Sequence, residues 1–254
     1  MPKLSLNQLR ITLGAVLRDA NYNILYNWLL RLKSKPLEAN KKPAIVFSPH
    51  QDDETIGCGG MIALKRSLGI PVKVVFLTDG RHGSKPDWVR PENVIQYRQE
   101  EAHKALDALG IEASQAEFLN QTDGSLAHLS PEKQNLLIAQ LVEILESFEP
   151  QEVYVPHHQD GHPDHEATYS LVESAIEKSN MQIELLQYPI WMMWRNPLSS
   201  HQYFHKNVSA YRLSIGSFKH KKHQAIAAYE SQTPNLPSSF KQAIYSSYEM
   251  FFKN

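Results

Sequence analysis

Two polar clusters in this 254-residue sequence hold the residue types that bind divalent metal ions. The first, residues 50–54 (His-Gln-Asp-Asp-Glu), follows an apolar run at residues 44–47 after Ser48 and Pro49. The second, residues 157–165, contains four histidines and two aspartates and directly follows the largely apolar run 152–156. Because open α/β sheets bind ligands at the carboxyl ends of their strands, we expect both clusters at one sheet edge. Imidazole and carboxylate ligands suit Zn²⁺, although Fe²⁺, Co²⁺ and Mn²⁺ accept the same groups.

The order of residues inside each cluster indicates a division of roles. Asp52 and Asp53 are adjacent, so one can bind the metal while the other faces the activated water. Pro163 suits the first position of a helix, which places His162 at the N-cap and His165 on the first turn. One of these two imidazoles can bind the metal while the other lies beside the substrate. A catalytic zinc keeps three protein ligands and one open position, so the sequence predicts a hydrolytic metal site.

The two motifs, Pro-His-Gln-Asp-Asp-Glu at residues 49–54 and His-Pro-Asp-His at residues 162–165, resemble the paired motifs of the LmbE/PIG-L family of zinc-dependent N-deacetylases. Gln51 stands where the family usually has a small residue or proline, at a position that is not a ligand. The resemblance extends over about residues 43–232 through weaker matches. These matches are residues 77–80, Arg98, Glu101, residues 123–124 and residues 229–232.

The resemblance implies a zinc ion held by three residues, His50, Asp53 and His165. It also implies that Asp52 is the general base and that His162 lies beside the scissile carbonyl. Zinc lowers the pKa of a bound water toward about 7, Asp52 takes the proton, and a protonated His162 helps to stabilise the oxyanion. We expect the Asp164 carboxylate to orient and charge His162 through a hydrogen bond.

The substrate that the resemblance implies is an N-acetylglucosamine derivative, either a small molecule or a lipid-linked amino sugar. Arg98, Asp123 and Trp191 are candidate substrate contacts because charged hydrogen bonds and aromatic faces suit sugars, although Trp191 and Trp194 also fit a hydrophobic core. One alternative is an amidase acting on another amide, such as a thiol conjugate. A phosphoesterase is disfavoured, because it would more often have further carboxylates for a second metal, and the two clusters supply one good metal site. A non-catalytic sugar-binding or scaffold protein is a further alternative, but such a protein needs neither Asp52 nor His162.

The elements that must position these residues are those of one α/β domain. From residue 43 onward, apolar runs alternate with segments of helical period, which predicts a Rossmann-like, mostly parallel sheet with flanking helices. Predicted strands are residues 44–48, 72–78, 117–119, 152–156 and 184–188; predicted helices are residues 54–68, 91–109, 131–148, 166–178, 218–229 and a last one from about 238. Residues 191–205 fit neither pattern and are predicted to form a loop or an insert over the sheet.

The first forty residues have a different pattern, so we divide the chain into a helical extension, 1–40, and a deacetylase-like domain, 41–254. Apolar residues recur at helical spacing between basic residues, which predicts one or two amphipathic helices. These helices either pack on the domain or lie on a membrane surface as a peripheral contact. The sequence alone does not separate the two interpretations.

Composition limits the partners and the compartment. The chain has 26 basic and 27 acidic residues, and this balance gives no electrostatic reason to expect nucleic acid as a partner. The single cysteine, Cys58, cannot form an intrachain disulfide, which favours the reducing cytoplasm, with membrane association if the first helices bind lipid. The oligomeric state does not follow from the sequence.

Overall fold

The computed structural model describes residues 6–194 and 209–253, and within them it contains a single sheet of eight strands. The strand order is β1-β7-β8-β6-β5-β2-β3-β4; β8 runs antiparallel to its neighbours β6 and β7, and every other pairing is parallel. The strands are β1 (Lys35–Leu37), β2 (Ala44–Ser48), β3 (Val72–Thr78), β4 (Ala116–Gln121), β5 (Glu152–Pro156), β6 (Glu184–Tyr188), β7 (Ser209–Ser214) and β8 (Tyr248–Lys253). The predicted mostly parallel α/β fold is therefore confirmed.

Seven described α-helices flank the sheet. They are α1 (Leu6–Trp28), α2 (Asp53–Ser67), α3 (Val94–Leu109), α4 (Pro131–Phe148), α5 (Pro163–Ser179), α6 (Lys219–Ala228) and α7 (Ser238–Ile244). A π-helical turn, Leu29–Lys33, continues α1, and the 3₁₀ turn Pro91–Asn93 precedes α3. The helix predicted from residue 238 ends at Ile244, and the chain then forms β8. The predicted loop is a turn at residues 191–194, and the rest of it, residues 195–205, lies outside the described residues.

Two apolar layers cover the two faces of the sheet. Successive residues of β2 alternate between them: Ala44 and Val46 belong to one core cluster, and Ile45 and Phe47 belong to the other. All five residues of β2 are buried, as expected for a central parallel strand with helices on both faces. The carboxyl end of β2 therefore opens in the middle of the sheet, between its neighbours β5 and β3.

A buried ion pair holds α2 to the carboxyl-terminal part of the fold. Lys222 Nζ lies 2.6 Å from Glu249 Oε1 and donates to the Ile56 carbonyl at 2.7 Å, while Glu249 accepts from the backbone N–H groups of Gly60, at 2.7 Å, and Met61, at 2.8 Å. In a regular α-helix the Gly60 N–H and the Ile56 carbonyl face each other as i and i−4 partners. The ion pair thus binds two groups that belong to the hydrogen-bond ladder of α2.

The first forty residues also contribute to the sheet. β1 pairs in parallel with β7, and α1 contributes the buried side chains of Tyr22 and Tyr26 to the core. Within the described part of the chain, none of the helices is both long and apolar enough to cross a bilayer. The boundary near residue 40 between an extension and a catalytic domain stays a prediction.

Candidate metal centre and active site

Hydrogen bonds fix the loop that follows β2. The Ser48 hydroxyl donates to the His50 carbonyl at 2.7 Å and accepts from the Glu54 N–H at 3.1 Å. The Pro49 carbonyl accepts from the backbone N–H of Thr78, at 3.0 Å, and from the hydroxyl of the same residue, at 2.7 Å. Because Thr78 ends β3, the loop is held across two neighbouring strands, and His50 has little freedom to move.

Asp52 has a strained backbone immediately before α2. Its φ angle is 141°, a region that side-chain-bearing residues rarely adopt, and such strain persists only where the surroundings impose it. The Asp52 N–H donates to Glu54 Oε2 at 3.1 Å, and its carbonyl accepts from the Ile56 N–H at 2.9 Å. Arg98 donates to the carbonyl of the preceding residue, Gln51, and its Nη2 lies 3.6 Å from Asp52 Oδ1. These contacts fix the position of Asp52 next to Asp53.

Three ligand atoms form a nearly equilateral triangle. His50 Nδ1 lies 3.2 Å from Asp53 Oδ2, His165 Nε2 lies 3.2 Å from the same oxygen, and the two nitrogens are 3.4 Å apart. Tetrahedral ligands at 2.0–2.1 Å from a zinc ion are about 3.3 Å from one another. The triangle therefore has the dimensions of one face of a tetrahedral zinc site, and its donors are two nitrogens and one oxygen.

Two other groups of potential metal ligands share one or two residues with the triangle. One adds His162 to His50 and His165, and the other joins His50 to Asp123 and Asp164. The second group has less capacity for a metal, because the Asp164 carboxylate is fully buried and already accepts from two backbone N–H groups. The triangle is therefore the better candidate for the metal, while Asp123 and Asp164 fit a supporting role.

A buried carboxylate, Asp160, orients His165. Asp160 Oδ2 lies 2.8 Å from His165 Nδ1, and Oδ1 accepts from the backbone N–H groups of Ile190, Trp191 and Met192 at 2.9, 3.1 and 3.1 Å. A carboxylate on one ring nitrogen directs the other nitrogen, Nε2, toward a metal. Asp160 was not among the predicted site residues, since nothing in the local spacing links it to a turn thirty residues later.

Asp164 supports a different histidine from the one we predicted. Its carboxylate accepts from the N–H groups of Gly124 and Leu126 at 2.7 and 3.0 Å and lies 3.3 Å from His50 Nε2. Only its backbone N–H reaches His162, whose Nδ1 accepts at 3.2 Å as the N-cap of α5. The predicted side-chain bond to His162 is wrong, because the first turn of α5 directs the carboxylate toward residues 124–126.

Asp123 also lies against His50, with Oδ1 3.1 Å from Nε2. Burial alone would lower the pKa of His50, but the carboxylates of Asp123, Asp164 and Asp53 outweigh it and raise that pKa well above its usual value. Burial alone would raise the pKa of Asp53, but the imidazoles of His165 and His50 reverse that effect, so the pKa falls well below the usual range. The carboxylates and imidazoles therefore stabilise one another electrostatically.

Asp52 and His162 differ electrostatically from the triangle. Burial raises the pKa of Asp52 to about 7, against the opposing charge of Arg98. Burial, together with charge on His165 and His50, lowers the pKa of His162. Since Nδ1 of the neutral ring accepts a backbone N–H, the ring proton is on Nε2.

An open cleft of about 300 Å³ lies above the triangle. All the predicted site residues except Asp164 and His165 line it; they are His50, Asp52, Asp53, Arg98, Asp123, His162 and Trp191. Arg98 is 2% exposed, so it lies at the base of the cleft and mainly supports the strained loop. The Trp191 ring is half-buried, 4.9 Å from Phe240, and therefore belongs both to the cleft wall and to the edge of the core.

Glu54 is a second residue whose role the sequence did not reveal. It is fully buried, and its carboxylate accepts from the Asp52 N–H at 3.1 Å and from the Tyr229 hydroxyl at 2.6 Å. Glu54 thus connects the strained residue to the end of α6. Its place beside Asp52 in the motif was the available signal, but the distant Tyr229 could not be identified from spacing.

A family model described as "PIG-L: GlcNAc-PI de-N-acetylase" matches residues 45–176, just over half of the chain. The chain is 34% identical over 137 residues to "Uncharacterized deacetylase YaiS" of Escherichia coli K12, a match that covers 52% of this chain and 66% of the relative. It is 30% identical over 170 residues to a 1D-myo-inositol 2-acetamido-2-deoxy-alpha-D-glucopyranoside deacetylase of a Mycobacterium strain, with coverages of 58% and 54%. The chain thus spans between half and two thirds of the length of these curated relatives.

Solved structures agree with the fold. The conserved protein TT1542 from Thermus thermophilus superposes with a TM-score of 0.61 at 26% identity, over 80% of this chain and 84% of the other. The N,N'-diacetylchitobiose deacetylase from Pyrococcus horikoshii gives a TM-score of 0.59 at 22% identity, over 95% of this chain and 84% of the other. At that lower identity the similarity concerns the fold alone.

Proposed function

This chain belongs to the PIG-L de-N-acetylase family, and from that premise we propose that it is a metal-dependent hydrolase that removes the acetyl group from an N-acetylglucosamine derivative. The observation that carries the proposal is the ligand triangle of His50, Asp53 and His165 at the base of an open cleft, with Asp52 beside it. The names of the curated relatives support the same reaction. They include a 1D-myo-inositol 2-acetamido-2-deoxy-alpha-D-glucopyranoside deacetylase and a protein named "Probable N-acetyl-alpha-D-glucosaminyl L-malate deacetylase 2".

Zinc is the metal that we propose for the triangle. Two imidazole nitrogens and one carboxylate oxygen with mutual distances of 3.2, 3.2 and 3.4 Å fit a tetrahedral ion that keeps an open position. The same donors would also accept Fe²⁺ or another divalent ion. When bound there, the metal supplies a Lewis acid that polarises the amide carbonyl and makes water a better nucleophile.

Asp52 is the general base in this proposal. Its carboxylate lines the cleft beside the triangle, and its backbone is strained at φ 141°. It takes a proton from the attacking water and later delivers that proton to the leaving amine. Arg98, 3.6 Å away, and Glu54, which binds the Asp52 N–H, hold the carboxylate in this position.

His162 stabilises the tetrahedral intermediate. Its Nδ1 accepts the Asp164 N–H, so the neutral ring has a donor at Nε2 that can bind the developing oxyanion. The ring also faces the metal ligands, with its centroid 4.9 Å from that of His50 and 4.8 Å from that of His165. In this role a neutral hydrogen-bond donor replaces the imidazolium that the sequence suggested.

The substrate that we propose is a small-molecule or lipid-linked amino sugar. Arg98, Asp123 and Trp191 line the cleft, and Trp191 is the main contact that we propose for the sugar. Arg98 and Asp123 are largely buried and bond the loop and His50, so they contribute to sugar binding chiefly by supporting the cleft. A cytoplasmic location is also part of the proposal, and it is supported by Cys58, which is a free, buried thiol.

The test is amine release from a panel of N-acetylglucosaminides by the purified, zinc-loaded chain, compared with Asp52→Asn. We expect the variant to bind zinc in the same stoichiometry while kcat falls by about 10²- to 10⁴-fold. Asp107→Asn is the matched control, because Asp107 is an exposed aspartate of α3. Undiminished kcat in Asp52→Asn would remove Asp52 as the base. Absence of release from the whole panel by the zinc-bound wild type would refute the proposed reaction.

A further inference from the structure

Helix α1 is apolar on two opposite faces. One face packs on the domain through Tyr22 and Tyr26, which are 3% and 4% exposed. The other face carries four large apolar side chains that are at least half exposed. They are Leu13 at 58%, Val16 at 57%, Leu17 at 50% and Ile24 at 69%. An ordinary surface helix directs polar residues outward, so this outer face needs a partner.

The four side chains form one continuous stripe. Leu17 and Ile24 follow Leu13 at spacings of four and eleven residues, which are positions on the same side of a helix, and Val16 lies beside them. The stripe is roughly 16 Å long at 1.5 Å per residue. A stripe of this length suits a flat apolar environment better than a small-molecule pocket.

Charge distinguishes the N-terminal segment from the rest of the chain. Residues 1–37 contain six basic residues and one acidic residue, a net charge of +5, whereas the whole chain has a net charge of −1. The acidic residue, Asp19, accepts from the hydroxyls of Ser238 and Ser239, each at 2.6 Å, and from Trp194 Nε1 at 2.9 Å. Asp19 is therefore occupied within the fold, while Arg31, Lys33 and Lys35 are exposed.

We propose that the outer face of α1 docks on an anionic membrane surface, with the helix lying in the plane of the lipid headgroups. The apolar stripe supplies the part that enters the interface, and the exposed Arg31, Lys33 and Lys35 supply attraction to anionic lipid. A second copy of the chain is a poorer occupant. Parallel helices would bring the basic ends together, and antiparallel helices would bring each basic end against residues 6–18, which contain no acidic residue.

Docking would keep the cleft near the lipid. The ring of Trp191 in the cleft wall packs on Phe240 at 4.9 Å, and Phe240 packs on Tyr22 of α1 at 5.2 Å. A single aromatic layer thus separates the cleft wall from the helix that faces the membrane. The proposal does not depend on the reaction, because it concerns binding to lipid only.

The test is co-sedimentation of the full chain with vesicles of equal parts phosphatidylglycerol and phosphatidylcholine, and with vesicles of phosphatidylcholine alone. We expect the wild type to pellet with the anionic vesicles and much less with the neutral ones. In the triple variant Leu13→Ser, Leu17→Ser, Ile24→Ser we expect the partition coefficient to fall by about tenfold or more. Leu136→Ser is the matched control, since Leu136 is 73% exposed on α4.

Circular dichroism and thermal melting verify that the triple variant is folded, which we expect because the three side chains are exposed. The absence of wild-type binding to anionic vesicles overturns the proposal, as does equal loss of binding in Leu136→Ser. Sedimentation velocity without vesicles tests the second copy. A concentration-dependent dimer that the triple variant abolishes would assign the stripe to self-association instead.

Discussion

Replacing Asp160 by asparagine should weaken zinc binding without removing a ligand. The Asp160 carboxylate lies 2.8 Å from His165 Nδ1, and its other oxygen accepts from the N–H groups of Ile190, Trp191 and Met192. Asparagine has the same shape but one acceptor oxygen, so its amide NH₂ must face either the imidazole N–H or the backbone donors. Loss of such a supporting carboxylate typically costs 10- to 100-fold in metal affinity, or about 1.4–2.7 kcal/mol.

The assay is competition for zinc between the protein and a chromophoric chelator, which gives the dissociation constant of each variant. We expect Asp160→Asn to raise this constant about 10- to 100-fold, and the exposed control Asp107→Asn to leave it unchanged. Urea unfolding at saturating zinc measures the separate effect on residues 190–192. An unchanged zinc dissociation constant in folded Asp160→Asn would refute the idea that this carboxylate orients His165. If the variant lost stability but not zinc affinity, the role of Asp160 would be to hold the turn at residues 190–192 in place.

Two further predictions concern α2. Lys222→Met leaves the carboxylate of Glu249 buried without its cation, so we expect a loss of about 3–5 kcal/mol in the free energy of unfolding by urea. Lys42→Met is the control, because Lys42 belongs to a partly exposed pair and should cost less than about 1 kcal/mol; equal losses would contradict the prediction. Gly57→Ala would place a Cβ atom 2.4 Å from the Tyr188 ring, so we expect the free energy of unfolding to fall by about 1–3 kcal/mol and the melting temperature to fall with it. An unchanged melting temperature would show that the Tyr188 ring can move aside without cost.

The central part of the sheet was predictable because its strands are buried on both faces. β2 is apolar from Ala44 to Phe47 and β3 from Val74 to Leu77, and such runs separated by helical segments indicate a parallel sheet. The edge region was not predictable. β1 has three residues including a proline, β7 is only partly buried, and β8 has Glu249 among its buried residues. A buried charge that compensates another buried charge cannot be recognised from apolar periodicity.

The sequence predicts that the two motifs meet at one edge of the sheet, but not the contacts that support them there. His50 and Asp53 are three residues apart, and His165 follows a matching strand, so their meeting requires only the parallel fold. The partner of Asp164 depends on the orientation of the first turn of α5, and the partners of Asp160 come from residues 190–192. Tertiary contacts of this kind produce no regular spacing of residues from which they could be predicted.

The ion pair between Lys222 and Glu249, which binds α2, affects the order in which the fold can form. During synthesis, every residue of the metal triangle leaves the ribosome before residues 248–253, yet the helix that begins with Asp53 binds Glu249 through two of its own N–H groups. β8 also lies between β7 and β6 in the sheet. Contacts of such high sequence separation form late in folding. The helix that carries Asp53 therefore completes its contacts only after β8 has been inserted between β7 and β6.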